Sequence, residues 1–249
     1  MTVDADGAGA EGTVLGYLDG SNTGWAADAS VGDTFVTNPI STTDDLLFGD
    51  RNDGDRNFEG MISEARVWSE ARTAEQIDDI FDIRIDNPGS EATLQGYWTF
   101  DALDANGAAV DLSQNTNDAQ VLQGPPGNLH GAALSFDGEA TEALSDYVEV
   151  AHDDVLKQDF FTWEATVKWD GSPELMYALS KPVGAGGFGT GTGLSISNGI
   201  VGLAVTPDGG APIGAGGSTT LPVGEWVTIS GTYDAVSYTH LTLPTIYSV

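Results

Sequence analysis

The sequence contains no cysteine, so it has neither a disulfide framework nor a thiolate for catalysis or metal binding. Basic residues are also scarce: 8 Lys and Arg stand against 38 Asp and Glu, a formal net charge of −30. A field of this sign repels nucleic acid and anionic lipid, and we exclude both as partners. Two compatible interpretations of the acidic excess stay open, a solvated surface that resists aggregation and a set of carboxylates that binds Ca²⁺.

The chain also lacks the features of several enzyme classes and of a membrane span. Outside the C-terminal tail it has only His130 and His152, and neither lies in a Ser-His-Asp context, so both are interpreted as surface residues. Two histidines without cysteine argue against a zinc site. No apolar run reaches the ~18 residues of a transmembrane helix, which predicts no membrane insertion. The first residues lack the basic start and apolar core of a signal peptide.

Most of the recognisable patterns in the sequence are those of β-strands. The 33 glycines and the many Thr, Ser, Asn and Asp residues are typical of short strands joined by turns. Between Phe161 and Trp169 apolar and polar residues alternate, which predicts a strand with one face in the core and the other toward water. Further short strands are predicted at 175–180, 193–197 and 200–205. The pattern therefore predicts an all-β fold.

The segment 58–81 predicts a strand that leads into one short helix. Alternation places Ile62, Glu64 and Arg66 on one strand face, and the spacing of Glu64 and Arg66 predicts a structural ion pair. Thr73 then begins a capping-box pattern, T-A-E-Q, that starts a helix over about 73–81.

The same segment reads F-x-G-x-I-x-E-x-R-V-W-x-x-A-x-T-x-E-Q-I and resembles the end of a laminin-G-like (concanavalin A-like) jelly-roll domain. Residues 13–20 and 46–49 resemble earlier strands of that domain's second half. Residues 94–101, LQGYWTFD, resemble its opening strand, and 133–150 and 225–233 resemble strands that follow. The order of the family's parts is therefore inverted in this chain.

The inverted order predicts the domain organisation. Residues 1–85 would be the C-terminal half of a laminin-G-like jelly roll, 86–93 a linker, and 94–236 the N-terminal half. We expect one antiparallel β-sandwich closed like a circular permutant, because either half alone would expose an apolar sheet face and open edges. The alternative is two half-domains cut from a tandem array. Residues 237–249 carry no Asp or Glu and are interpreted as a non-native tail from sequencing-adapter read-through, or else as a β-prone edge segment.

The resemblance implies a calcium site on the rim of the sandwich. Its ligands would be Asp111 and Asn117, with Asp101 or Asp137 nearby, since Ca²⁺ favours oxygen donors. The other interpretation is that these residues only close turns. A second acidic cluster at 50–57 does not fit the EF-hand loop, because a glycine occupies the fifth position.

The resemblance also implies ligand binding by the sheet or its rim loops. Sugar recognition needs exposed aromatic faces and planar polar side chains, and Trp25, Tyr177 and Phe188 are the candidate ligand-binding aromatics. The other interpretation, which describes such residues more often, is that each is a core or loop anchor. The paired carboxylates of related glucanases, E-x-D-x-E on one strand, are absent, so we predict no enzymatic activity.

The resulting hypothesis is a non-catalytic binding or adhesion module of a larger extracellular protein, secreted or on the cell surface. Its ligand would be a glycan or an extracellular protein, and neighbouring laminin-G-like repeats would be its partners in the parent chain. Two alternatives stay open: an accessory carbohydrate-binding domain of a carbohydrate-active enzyme, and a structural spacer.

Overall fold

The structure, a computed structural model, describes residues 13–18, 21–22, 27–28, 42–51, 56–122, 132–139, 146–183, 191–206 and 213–234. These residues form two antiparallel β-sheets and one short α-helix, which confirms the all-β, antiparallel sandwich. The strands are β1 (Thr13–Leu18), β2 (Ser21–Asn22), β3 (Ala27–Asp28), β4 (Leu46–Phe48), β5 (Glu59–Trp68), β6 (Leu94–Thr99), β7 (Ala108–Ala109), β8 (Ala119–Leu122), β9 (Leu134–Asp137), β10 (Tyr147–Val150), β11 (Phe160–Trp169), β12 (Met176–Pro182), β13 (Gly191–Ser197), β14 (Ile200–Val205), β15 (Ile213–Thr220) and β16 (Trp226–Asp234). The helix α1 spans Ala74–Asp78, and short 3-10 turns lie at Pro88–Ser90 and Asp154–Leu156.

The two sheets each contain eight of these strands. Sheet 1 has the order β2-β1-β16-β11-β5-β6, with β3 beside β1 and β9 beside β5. Sheet 2 has the order β15-β14-β13-β12-β4-β10-β8-β7. The core lies between the sheets: Phe48 of sheet 2 contacts Trp98 of sheet 1 edge-on, with ring centroids 5.1 Å apart. Both sheets therefore share one apolar interior.

Strands from either side of residues 86–93 pair with each other in both sheets. In sheet 1, β5 lies between β11 and β6, and it pairs with β11 at eight positions. In sheet 2, the three-residue strand β4 lies between β10 and β12. Trp68 and Trp163 consequently lie on neighbouring strands of one sheet. The assignment of each side to one half of the family's domain stays a prediction.

The apolar face of β11 is buried in the core, as predicted, but the first half of its polar face is also buried. Thr162 and Glu164 expose 0% and 1% of their surfaces. The reason is that the chain after β5 folds back over this face of sheet 1. Thr162 Oγ1 donates to the carbonyl of Glu70 at 2.9 Å and accepts from the amide of Arg72 at 2.9 Å. Alternation alone predicts one buried face and gives no sign that a later segment will cover the other.

Strand β5 contains a β-bulge, which changes the sheet face on which some of its side chains lie. Glu64 is opposite Thr166, whereas Ile62 is opposite Val167, so Ser63 is an extra residue on β5. Ile62 therefore turns into the core, where it is fully buried. The prediction that Ile62 shares a face with Glu64 is wrong, because period-two alternation cannot count across an inserted residue.

The helix α1 begins as predicted and ends early. Thr73 Oγ1 accepts from the amide of Gln76 at 3.3 Å, and Gln76 Oε1 accepts from the amide of Thr73 at 2.8 Å, which confirms the capping box. The helix stops at Asp78 instead of continuing to about residue 81. Its last turn contains no basic residue, and acidic side chains oppose the negative end of the helix dipole. The chain from 79 to 83 continues as turns, and hydrogen bonds from Arg66 and Thr228 hold it over sheet 1.

Replacement of Gly49 by alanine should destabilise the protein for two separate reasons. Its φ is +83°, and a Cβ at this position would collide with the ring of Phe136. The matched control is Gly107→Ala, because Gly107 has φ +84° but nothing lies within 4 Å of its Cβ position. We expect about 1 kcal/mol of destabilisation for the control and roughly 1–3 kcal/mol more for Gly49→Ala, measured by urea unfolding. Equal losses in the two variants would contradict the packing described for Phe136.

Candidate functional site

A groove of about 370 Å³ lies on the outer face of sheet 1. Its floor crosses three adjacent strands, where Glu64 of β5, Thr166 of β11 and Thr228 of β16 are register partners in one row. Residues 81–84 form one wall, and Trp226 at the start of β16 also lines the groove. The volume is within the range of small-molecule binding sites.

Arg66 attaches the wall of the groove to the sheet. Its Nη1 donates to the carbonyl of Ile80 at 2.8 Å, and its Nη2 donates to the carbonyl of Ile83 at 2.5 Å. Its Nε donates to Glu64 Oε1 at 2.5 Å, which confirms the predicted ion pair. On the neighbouring strand, Glu164 Oε2 lies 3.4 Å from Nη1. A single buried guanidinium therefore holds the turn and two carboxylates in place.

The buried charges change the proton affinity of these groups. Burial raises the pKa of Glu164, and the positive charges of Arg66 and Arg72 offset only part of this effect. Burial alone would lower the pKa of Arg66, but the carboxylates of Glu164 and Glu64 outweigh it, so the pKa of Arg66 is raised. The cluster thus favours a charged guanidinium and a more readily protonated Glu164.

The floor of the groove presents hydroxyl groups. Thr228 Oγ1 donates to the carbonyl of Phe81 at 2.8 Å, and it lies 3.0 Å from Thr166 Oγ1. Because the Thr228 proton is directed to Phe81, Thr166 is the donor of that second bond, and its lone pairs remain available as acceptors. Trp226 is 45% exposed beside this row. The sequence places Trp226 at the start of a strand but gives no sign that its ring stays in solvent.

Arg84 and Asp101 form an ion pair at the edge of the groove, where both side chains are about half exposed. Arg84 Nη2 donates to Asp101 Oδ1 at 3.0 Å, and a second bond joins Nη1 to Oδ2. Arg84 Nε also lies 3.8 Å from Glu64 Oε2. Asp101, a predicted calcium ligand, is therefore engaged by a cation of the protein itself.

Asp111, the central predicted calcium ligand, is buried and surrounded by hydrogen-bond donors. Its Oδ1 accepts from the amides of Tyr97 at 3.0 Å and Ser113 at 2.9 Å. Its Oδ2 accepts from Ser113 Oγ and from the amide of Asn117, both at 2.9 Å. The carbonyl of Asn117 accepts from Trp98 Nε1 at 2.8 Å. This arrangement fits the turn-closing interpretation and does not fit a carboxylate that coordinates a cation.

Asp137, the remaining predicted ligand, lies at the end of β9. Its Oδ1 accepts from the amide of Glu139 at 3.0 Å, and it is opposite Glu59 of β5. Burial raises the pKa of Glu59, with a hydrogen bond to Asp170 as a further cause. Within the described residues, no three or more His, Cys, Asp or Glu side chains form a group that could hold a metal ion. Calcium binding stays a prediction, and nothing proposed below depends on it.

Of the predicted ligand-binding aromatics, the structure describes Tyr177. Its side chain is 7% exposed, its ring covers Gly193, and its hydroxyl accepts from Arg51 Nη1 at 3.5 Å. It therefore offers no open face to a ligand. Trp25 and Phe188 lie outside the described residues, as do His130 and the tail at 237–249.

A second buried polar group lies at the rim of sheet 2. Lys181 is fully buried, donates to the carbonyl of Asp44, and has its Nζ 3.3 Å from His152 Nδ1. Burial lowers the pKa of Lys181 to about 8. His152 Nε2 lies 3.6 Å from the carboxylate of Asp154. His152 is thus partly buried against a lysine, whereas its sequence context predicts a surface residue.

The fold and the groove define a β-sandwich with a polar cleft on one sheet face. A laminin-G family model, described as the concanavalin A-like lectin/glucanases superfamily, matches residues 2–78. Residues 2–78 are therefore a laminin-G-like segment, and for this stretch the resemblance is confirmed. No curated protein and no solved structure matches the chain. Among the described helices, none is long and apolar enough to cross a membrane.

The raised pKa of Glu164 predicts that the contribution of this one group to stability is lost as the pH rises. The folded state binds the Glu164 proton more tightly than the unfolded state, whose pKa is near the ordinary 4.5. The stabilisation is fully present below that value and is lost as the pH passes the higher folded pKa. Glu164→Gln should remove this component, so the difference in melting temperature between variant and wild type should grow in the variant's favour from pH 4.5 to pH 8. The exposed Glu91→Gln is the control for loss of one charge; a pH profile of Glu164→Gln that parallels this control would contradict the prediction.

Proposed function

We propose that the protein is a non-catalytic binding module that takes up a carbohydrate in the groove on sheet 1. The single observation that carries this proposal is the half-exposed ring of Trp226 beside the row of Glu64, Thr166 and Thr228. Laminin-G-like domains are typically binding modules, which favours the same function.

The chemistry of the groove suits a sugar. The apolar face of a pyranose ring packs on an exposed aromatic ring, and its hydroxyl groups need donors and acceptors at fixed positions. Trp226 supplies the ring. Thr166 Oγ1 supplies an acceptor, and the half-exposed Arg84 supplies a donor. Arg66 fixes the wall, so these groups are held in place before a ligand arrives.

The carboxylates of this site suit binding better than hydrolysis. Glu64 Oε1 is occupied by Arg66, and Glu164 is buried beneath the turn that follows α1. Glycoside hydrolysis requires two carboxyl groups that flank a scissile bond in an open cleft. We therefore propose a role in recognition, with any catalysis left to other domains of the parent protein.

We also propose that this module belongs to an extracellular protein, which is either secreted or attached to the cell surface. Domains of this family are usually extracellular, and the acidic surface is compatible with that setting. An adhesion protein with neighbouring laminin-G-like repeats and an accessory domain of a carbohydrate-active enzyme both fit a glycan in the groove. A protein ligand and a plain spacer remain the competing hypotheses.

Replacement of Trp226 by alanine should abolish most carbohydrate binding. We would screen the full chain on an array of neutral, amino-bearing and uronic oligosaccharides, with and without chelator, and titrate the strongest binder by calorimetry. Loss of the ring should weaken binding at least about tenfold, or ~1.4 kcal/mol, whereas Trp226→Phe should retain most of the affinity.

The control is Val223→Ala, which truncates a more exposed apolar residue that does not line the groove. Absence of binding across the array would favour the spacer, and equal affinity in Trp226→Ala and wild type would move the site away from this groove.

A further inference from the structure

We propose that the outer face of sheet 1 binds one internal water molecule beneath residues 70–72, among the side chains of Trp68, Glu164 and Ser230. These side chains do not line the groove, so the proposal does not depend on a carbohydrate ligand. Its basis is a group of buried polar atoms, on three adjacent strands and on the segment above them, that have no hydrogen-bond partner among the described residues.

Four buried polar atoms in this region lack a partner within the part of the chain that the structure describes. They are Trp68 Nε1, Arg72 Nε, Glu164 Oε1 and Ser230 Oγ. Trp68, Glu164 and Ser230 expose only 2%, 1% and 1% of their surfaces. A buried polar atom without a partner costs free energy, and in native proteins such atoms are satisfied by protein groups or by ordered water. The four atoms therefore call for a partner that the protein itself does not supply.

The strand register brings these atoms to one place. Glu164 of β11 is directly opposite Ser230 of β16, and the Cβ atoms of such partners lie about 4.5–5.5 Å apart. Trp68 lies on β5, the neighbour of β11 on the other side. Burial raises the pKa of Glu164, and the indole N–H of Trp68 is one of the groups that offset this effect, which places it close to the carboxylate.

Arg72 closes the site on the side of the solvent. Its amide donates to Thr162 Oγ1 at 2.9 Å, which fixes its backbone over β11. Its guanidinium lies over the ring of Trp68, with Cζ 3.9 Å from the ring centroid. The two terminal nitrogens of Arg72 donate to other groups, so its Nε is the donor without a partner.

The mixture of donors and acceptors identifies water as the ligand. Trp68 and Arg72 offer N–H groups, an ionised Glu164 can only accept, and the Ser230 hydroxyl can do either. The carboxylate would repel an anion, and the two N–H groups would repel a metal cation. A water molecule both donates and accepts, and it makes two to four hydrogen bonds in such sites. If Glu164 takes up a proton, the same water molecule can turn to accept it.

The water molecule completes the hydrogen bonding of a carboxylate that the protein satisfies only in part. Glu164 Oε2 lies 3.4 Å from Arg66 Nη1, whereas Oε1 has no partner among the described residues. A buried carboxylate is tolerated when both of its oxygens are bonded. The water would also link β5, β11 and β16 to the segment that covers them, in addition to the direct bonds of Thr162 to Glu70 and Arg72.

The test combines a high-resolution crystal structure of the full chain with NMR detection of water beside the Trp68 indole proton. We expect density for one water molecule within about 2.7–3.2 Å of Glu164 Oε1 and Ser230 Oγ. We also expect a cross-peak between water and the Trp68 indole proton, whose signal is assigned by its loss in Trp68→Phe. The internal control is Trp98, which is fully buried but donates to the carbonyl of Asn117 at 2.8 Å and should give no such cross-peak.

Two variants of one residue test the position of the water molecule. Ser230→Val puts methyl groups where the water would lie, and we expect the cross-peak to be lost. Ser230→Ala leaves the space open, so the cross-peak should remain. Ser195→Val changes a buried serine of sheet 2 and is the control, for which we expect an unchanged cross-peak.

Several outcomes would overturn the proposal. One is a wild-type protein with neither density nor cross-peak, in which Glu164 bonds directly to Ser230 or Trp68. A cross-peak that persists in Ser230→Val would move the water away from Ser230, and loss of the cross-peak in Ser230→Ala would assign it to the hydroxyl proton instead of water. Anomalous density at this position in a crystal soaked in bromide would identify an anion site.

Discussion

The pairing of β5 with β11 is the contact on which the rest of the structure depends. It joins the part of the chain before residues 86–93 to the part after them, at eight register positions. It also sets Glu64 beside Thr166 and Arg66 beside Glu164, so the floor of the groove and its buried ionic cluster come from the same pairing. The bulge at Ser63 gives this strand its two roles, because it sends Ile62 into the core and leaves Glu64 on the outer face.

The main effect of the ionic cluster around Arg66 is to fix the position of the neighbouring turn, and its net contribution to folding stability is small. Removal of charged groups from water costs several kcal/mol per ion, and a buried pair recovers this only when the remaining donors and acceptors are satisfied. Arg66 meets that condition through two backbone carbonyls and two glutamates, whereas the buried Glu164 Oε1 has no hydrogen-bond partner among the described residues. The consequence is a turn at 80–83 held at a fixed distance from the sheet. A rigid wall of this kind is what a binding groove requires, and the short helix before it ends early enough to allow the turn.

Much of the fold could be predicted from the sequence, because strands and caps are encoded locally. The alternation in β11, the capping box at Thr73 and the pair of Glu64 with Arg66 all depend on residues a few positions apart. The site could not be predicted in the same way. Trp226, Thr166 and Arg84 are far apart in the chain, and nothing local shows that a turn will cover β11 or that Trp226 will stay exposed. Asp111 shows the opposite case, in which a local pattern suggests a site that the structure does not favour. Its sequence pattern is compatible with a metal ligand, yet its carboxylate oxygens accept hydrogen bonds from three backbone amides.

Segments on both sides of residues 86–93 close one sandwich, and residues from both segments line the groove on the outer face of sheet 1. The most direct measurement is to insert a protease site after Gly89, where the chain is exposed and nothing lies within 4 Å of the position that a Cβ would take, and to cleave the folded protein. The account predicts that the two fragments co-elute in gel filtration under native conditions and that their unfolding becomes dependent on concentration. Separation of the fragments, each keeping its own cooperative unfolding transition, would contradict it.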